Sequence, residues 1–248
     1  LADKGFQVHS PFVYDFYTKV IKGDGPANHS AFIEKHRSHL HRQKSLLETT
    51  DFGSGSAHAA YKTRFRKVNE VARHSSVNPK MGKLLYRLAV FSGAKNILEI
   101  GTAMGISTMY LASAAPESRL VSIEGCAVIA QKALDGFKKY KLENIELVQG
   151  NFNKYLPEVL ATFDTLDMVF IDGNHKEKPT IKYFNETLSK IHPGSIIVID
   201  DIHWSKGMGN AWKEIAARPE VSISIDIFRA GILLFREGIP KQHFRLKF

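Results

Sequence analysis

From Ile97 onward, short apolar runs alternate with segments whose apolar residues recur at helical spacing. That alternation predicts repeated β-α units and therefore a parallel sheet. Strands are expected at residues 97–100, 120–123, 145–149, 168–171 and 195–199, with helices near 106–114, 127–140, 155–161 and 178–191 between them. Pro193-Gly194 reads as a turn just before the fifth strand. A further helix near 206–217 leads to two apolar runs, 221–227 and 231–235, joined only by Phe228-Arg-Ala230. So short a link cannot hold a helical crossover, and the two runs should pair as an antiparallel hairpin.

The first 95 residues read instead as helices separated by polar loops. Residues 5–21 carry Phe6, Val8, Phe12, Val13, Phe16, Tyr17, Val20 and Ile21, mostly on one helical face that Pro11 interrupts. Residues 34–42 are crowded with Lys, Arg and His, and residues 49–57 read as a loop. Within that loop Asp51-Phe-Gly-Ser-Gly55 imitates an acidic, glycine-rich ligand loop. The preceding Glu48-Thr-Thr50 is no apolar strand, however, and a flexible lid is the expectation. An amphipathic helix over 80–92 then runs up to the first strand.

A chain of 248 residues suits one α/β domain with an extension and is too short for two full domains. No apolar stretch approaches the ~18 residues of a membrane span, so no membrane partner is expected. The single cysteine, Cys126, excludes an internal disulfide, and no signal peptide precedes the first helical segment, so a cytoplasmic location is expected. Residues 1–95 hold 16 Lys and Arg against 7 Asp and Glu, whereas residues 96–248 hold 18 of each, so the whole net charge of +9 lies in the N-terminal part. Such an excess could draw an anionic partner such as RNA, or simply be a solvated basic surface.

The chemistry concentrates at the predicted strand ends. A strand ending in Glu99-Ile-Gly101, followed by Gly105 and a helix, gathers backbone N–H groups, a helix N-terminus and a carboxylate at the carboxyl edge of the sheet. Gly101 and Gly105 allow close approach of a ligand, and Ser107 offers a hydroxyl in the first helical turn. Glu124, closing the second strand, is placed to accept two ribose hydroxyls. NAD would use a similar carboxylate, but the turn is Gly-x-x-x-Gly and hydride transfer needs no closing hairpin. Glu99 and Glu124 could alternatively serve only as loop anchors.

Together, Glu99-Ile-Gly-Thr-Ala-Met-Gly-Ile-Ser107, Glu124, Gly150-Asn-Phe152, Phe170-Ile-Asp-Gly-Asn-His175 and Ile199-Asp-Asp-Ile-His-Trp204 resemble class I S-adenosylmethionine-dependent methyltransferases. They are most similar to the small-molecule O-methyltransferases of the catechol and caffeoyl-CoA type, over roughly residues 76–236. The resemblance implies an α/β, Rossmann-like doubly wound sheet of five parallel strands plus a C-terminal antiparallel hairpin. It divides the chain into a basic, mainly helical extension or lid over residues 1–75 and an S-adenosylmethionine-binding methyltransferase domain over 76–248. It also implies a cofactor site made of Val77, Glu99, Gly101, Thr102, Ala103, Gly105, Ser107, Glu124, Gly150, Asn151, Phe152 and Asp172. Phe152 is as well suited to packing as to stacking on adenine.

The catechol-type enzymes hold Mg²⁺ with Asp, Asp and Asn; here Asp172, Asp200 and Asp201 stand at those points, with Asp in place of Asn. Three converging carboxylates would repel, and Mg²⁺ or another divalent cation is one remedy. Without a metal, Asp172 would orient the ligands, Asp200 would cap a loop and Asp201 would meet a basic residue. Where the family has a Lys after the first metal Asp, this chain has His175, with Lys176 next, so His175 is the first choice of general base and Lys176 the second. A hydrogen bond to a neighbouring loop is the alternative for His175, and Trp204 could wall an aromatic pocket or lie in the core. The expected activity is methyl transfer to oxygen of a small-molecule acceptor, with a homodimer as the assembly considered. RNA methylation and a non-catalytic cofactor-binding module are the alternatives.

Overall fold

The β-α alternation expected from Ile97 onward is present element for element in the computed structural model, which describes residues 10–23, 30–51 and 62–248. The chain begins with α1 (Pro11–Phe16), continued by a π-helical turn over Tyr17–Ile21. Pro11 starts this helix and does not interrupt it, because it sits in the first turn behind the Ser10 cap, where its missing N–H costs nothing. Phe6 and Val8 of the longer expected helix lie outside the described residues. Then come α2 (Ala31–Leu40), β1 (Leu46–Asp51), β2 (Lys62–Lys67), α3 (Val68–Ser75) and α4 (Pro79–Ser92).

The β1–β2 pair corrects the sequence expectation for this region. Residues 46–51 form a strand antiparallel to 62–67, in register from Leu46 opposite Lys67 to Asp51 opposite Lys62. Glu48-Thr-Thr50 gives no apolar run because most of this ribbon lies against solvent: Leu46, Glu48 and residues 64–67 are exposed, while Leu47 and Thr49 turn inward. The glycine-rich remainder of the expected lid loop falls outside the described residues.

The main sheet contains β3 (Asn96–Ile100), β4 (Arg119–Glu124), β5 (Ile145–Gln149), β6 (Leu166–Ile171), β7 (Ile191–Asp200), β8 (Ile223–Asp226), β9 (Ala230–Leu234) and β10 (Gln242–Arg245). They lie in the order β10-β8-β9-β7-β6-β3-β4-β5. β3 to β7 are parallel, β9 runs antiparallel to both β7 and β8, and β10 adds an edge strand parallel to β8 that the sequence did not signal. Pro193-Gly194 lies within β7, where pairing jumps from Leu166–Ile191 to Met168–Ile196. The extra residues bulge out, with the Ser195 hydroxyl accepting from the His192 N–H at 2.8 Å and donating to the Leu166 carbonyl at 2.7 Å.

Helices α5 (Ile106–Ala114), α6 (Ala127–Lys139), α7 (Phe152–Ala161), α8 (Glu177–Thr187) and α9 (Lys206–Ala217) connect the strands. Alternate strand residues face opposite ways. Ile97, Leu120, Met168 and Phe170 join a core with Met81, Leu84 and Leu88 of α4 and Met109 of α5, while Leu98, Ile100, Val121 and Val169 join one with Leu156, Phe184 and Trp212. Residues of α1, α2 and α3, among them Val13, Ile33 and Val71, belong to the first of these cores. After β3 the chain steps outward through β4 and β5, then returns to the other side of β3 as β6. The carboxyl ends of β3 and β6 therefore flank the reversal point where open α/β sheets bind ligands.

Candidate active site

Both strand ends at this reversal carry predicted site residues, and their backbones touch. Gly101 has φ +106, and a side chain there would collide with the Asp172 carbonyl oxygen. Its N–H and that of Thr102 donate to Ile123 O at 3.0 and 3.2 Å, which ties the turn to β4. Ala103 also has positive φ, 47°, and Gly105 caps α5 at φ +76 with no side-chain cap on the helix N-terminus. A Cβ on Gly105 would lie 2.6 Å from the Phe137 ring, so the second glycine also serves helix packing.

Glu99 is fully buried beneath this turn. Its Oε2 accepts from the hydroxyls of Thr108 and Ser122, the latter at 2.6 Å, and Ser122 also meets Thr102 Oγ1 at 2.6 Å. Oε1 has no partner. Burial pushes the carboxyl up to about 7, against the pull of the Ser122 and Thr108 hydrogen bonds and of the neighbouring Ser107 hydroxyl. Neither Thr108 nor Ser122 was singled out in the sequence, although Thr108 follows Ser107 in the glycine-turn helix and Ser122 lies beside Glu99 in the β3–β4 register.

Glu124 holds the other wall. Oε2 accepts from Ala103 N and Oε1 from Cys126 N, both at 2.9 Å. Burial raises its pKa, opposed by these backbone N–H groups. Gly150 N donates to Glu124 O at 2.8 Å, and Asn151 caps α7 by accepting from Asn153 N at 2.9 Å. Phe152 packs edge-on against Tyr183 at 5.9 Å and 90°, which favours its packing role. Val77 is buried before α4, where its carbonyl accepts from Arg37.

On the β6 side, Asp172 is largely buried and its carboxyl is raised well above the usual range, by burial first and then by Asp200, Asp201 and Glu99. His175 Nε2 stands 3.5 Å from Asp172 Oδ1, whereas Lys176 is exposed at the start of α8. Asn174, His175 and Asp201 all have positive φ, at 69°, 30° and 53°. Backbone strain of this kind clusters at ligand sites.

Arg229 is the group sequence reasoning missed. Asp200 pairs with Ala230 across the β7–β9 ladder, which brings the β8–β9 turn to the acidic end of β7. Arg229 Nη2 then lies 3.2 Å from Asp200 Oδ2 and 3.8 Å from Asp201 Oδ1. Burial opposes its charge, but Asp200, Asp201 and Asp172 outweigh that and raise its pKa. Asp201 therefore does meet a basic residue. Around this cluster Trp204 is 73% exposed, which removes it from the core, and Phe228, also exposed, stacks on His203 at 5.4 Å.

Residues 98–202 match the family model described as a methyltransferase domain. Over that stretch the chain resembles a methyltransferase domain. It is 36% identical over 132 residues to the catechol O-methyltransferase of Niastella koreensis, a match covering 51% of this chain and 58% of that protein. The match thus spans little more than half of that relative's length. Among solved structures, the O-methyltransferase from Bacillus cereus in complex with SAH is 26% identical, with a TM-score of 0.56 over 64% of this chain and 83% of that one. The O-methyltransferase TomG from Streptomyces achromogenes, in complex with SAM and involved in tomaymycin synthesis, is 28% identical, with a TM-score of 0.56 over 65% and 82%. No helix among the described residues is long and apolar enough to cross a membrane.

Proposed function

We propose that the protein transfers the methyl group of S-adenosylmethionine to an oxygen of a small, aromatic acceptor. The observation that carries this reading is the backbone contact of Gly101 with Asp172, which joins the glycine-turn site to the His175 and Asp200 side of the same crevice. The residues fit the cofactor: the α5 N-terminus has no side-chain cap, and the buried Glu99 Oε1 lacks a partner that an ammonium group would supply. Glu124 keeps a lone pair on each oxygen beyond its backbone contacts, enough to accept two ribose hydroxyls. Asn151 and Phe152 border the adenine end, and Thr102, Ala103, Gly105 and Ser107 line the turn.

When bound, S-adenosylmethionine supplies a methyl carbon on a positively charged sulfur. The chain's own task is to hold an acceptor hydroxyl in line with that carbon and to take its proton. His175 is the base in this reading: the acceptor oxygen forms a bond to carbon, the carbon–sulfur bond breaks, and the proton passes to the imidazole. Asp172, with Oδ1 3.5 Å from Nε2, is placed to orient the ring. The exposed rings of Trp204 and Phe228 offer faces to an aromatic acceptor.

The divalent cation implied by the resemblance does not fit the side chains as they stand. Arg229 already holds Asp200 Oδ2 at 3.2 Å and stands 3.8 Å from Asp201 Oδ1, and among the described residues no three His, Cys, Asp or Glu side chains form a metal-holding group. No step is therefore routed through a metal. An RNA acceptor draws little support from the basic N-terminal part. Arg37 is spent on Glu34 and the Val77 carbonyl, and Arg87 on the carbonyls of Val20 and Ile21. Calorimetry with S-adenosylhomocysteine, followed by transfer of labelled methyl from S-adenosylmethionine to a panel of phenols and aromatic diols, tests the proposal. Absence of binding by the wild type would sink it.

A further inference from the structure

We propose that the Arg229 guanidinium is the resident cation of the acidic cluster and occupies the electrostatic position that a divalent metal holds in the catechol-type enzymes. Asp172, Asp200 and Asp201 bring three carboxylates to adjoining strand ends, and Asp200 is only 1% exposed. Such a cluster stays ionised only if a cation is held among its members. Arg229 Nη2 meets this need, bridging Asp200 at 3.2 Å and Asp201 at 3.8 Å. The Asp at position 201 fits the same logic, because a carboxylate gives the guanidinium a second ionic partner where an Asn would give a neutral one.

The arginine is delivered by the fold and does not reach in from a loose surface loop. Asp226, itself 1% exposed, accepts from Phe228 N at 2.7 Å, from Arg245 Nε of β10 at 3.2 Å, and faces His203 Nε2 at 2.9 Å. Arg229 N donates to Ile227 O at 2.9 Å, closing the turn. The β8–β9 turn is thereby pinned from β10 and from the loop after β7, and the antiparallel pairing of Ala230 with Asp200 fixes which residue arrives at the cluster. The edge strand β10 thus acquires a purpose at the site.

Two buried polar atoms remain without partners there: Asp200 Oδ1, an acceptor, and Arg229 Nε, a donor. An acceptor oxygen brought to the cluster would take a hydrogen bond from the unpartnered Arg229 Nε, and the guanidinium would stabilise the oxyanion as its proton passes to His175. This last consequence rests on the methyl-transfer reading; the occupancy of the cluster by Arg229 does not.

Mn²⁺ binding to the full chain, followed by electron paramagnetic resonance and calorimetry without any acceptor, tests the proposal. Wild type should bind no stoichiometric Mn²⁺ in the micromolar to low millimolar range. Arg229→Ala should create a site whose Mn²⁺ affinity is higher by about tenfold or more, because three carboxylates lose their internal cation. Asp200→Asn added to Arg229→Ala should abolish it, and Arg229→Lys should still exclude the metal. Stoichiometric Mn²⁺ binding by wild type that Asp200→Asn removes would overturn the proposal, as would Arg229→Ala gaining no Mn²⁺ site while it still binds S-adenosylhomocysteine like wild type. Loss of S-adenosylhomocysteine binding by wild type would instead count against the methyltransferase reading, independently of the Mn²⁺ result.

Discussion

Glu99 makes the stability of the ligand-free protein depend on pH in a direction opposite to that of an ordinary ion-paired carboxylate. Its pKa rises from 4.5 to about 7 on folding, because the carboxyl is fully buried and only Oε2 is satisfied. Between those values the folded state binds more protons than the unfolded chain, so raising the pH lowers stability. The contribution is present in full below 4.5, is lost as pH rises through about 7, and is flat above. The span corresponds to about 3 kcal/mol. At roughly 2–4 °C per kcal/mol for a chain of this size, that is a fall of about 6–12 °C in Tm. The assay is differential scanning calorimetry from pH 4 to 8.5 on wild type and Glu99→Gln. Glu124 and Asp172 shift in the same direction, so the relevant quantity is the difference between the two curves. Saturating S-adenosylhomocysteine should shrink that difference, because an ammonium group at Oε1 favours the ionised carboxyl. A Tm difference that does not change between pH 5 and 8 refutes the reasoning.

Other consequences are open to direct measurement. Glu124→Gln puts an amide N–H against the N–H of Ala103 or Cys126 and removes a charge-assisted acceptor, so S-adenosylhomocysteine should bind roughly 10- to 100-fold more weakly by calorimetry. Gly101→Ala forces a side chain into the Asp172 carbonyl at φ +106, and chemical denaturation should register a loss of about 2 kcal/mol or more together with loss of ligand binding. His175→Gln should lower kcat by about 10²–10⁴-fold while leaving the S-adenosylhomocysteine Kd within twofold or so, as radiolabel transfer and calorimetry would show. An unchanged kcat would remove His175 from the mechanism and turn attention to Lys176.

The β-α core was legible because its central strands are buried on both faces and read as short, mainly apolar runs, and the hairpin because three residues cannot span a crossover. Helix α7 begins at Phe152, earlier than expected, since its first turn is set by the Asn151 cap and not by apolar spacing. The ribbon β1–β2 was illegible for the opposite reason: exposed strands carry no such run, and the neighbour each strand chooses is a long-range fact. At the site, sequence spacing found the carboxylates but not their cation. Arg229 reaches Asp200 only through the antiparallel register of β7 and β9, which no local pattern encodes.

One contact carries further than its size suggests. Glu34 of α2 accepts the Tyr110 hydroxyl of α5 at 2.8 Å and pairs with Arg37 at 3.0 Å, and Arg37 in turn holds the Val77 carbonyl. The helix that springs from the glycine turn is thus bolted at its midpoint to the N-terminal segment. Any ligand that stiffens the turn must tighten that attachment by the same free energy with which the attachment improves the ligand's affinity. Trimming the chain ahead of residue 76 would therefore cost occupancy of the crevice, and protection of α2 from amide exchange would serve as a distant gauge of whether the crevice is filled.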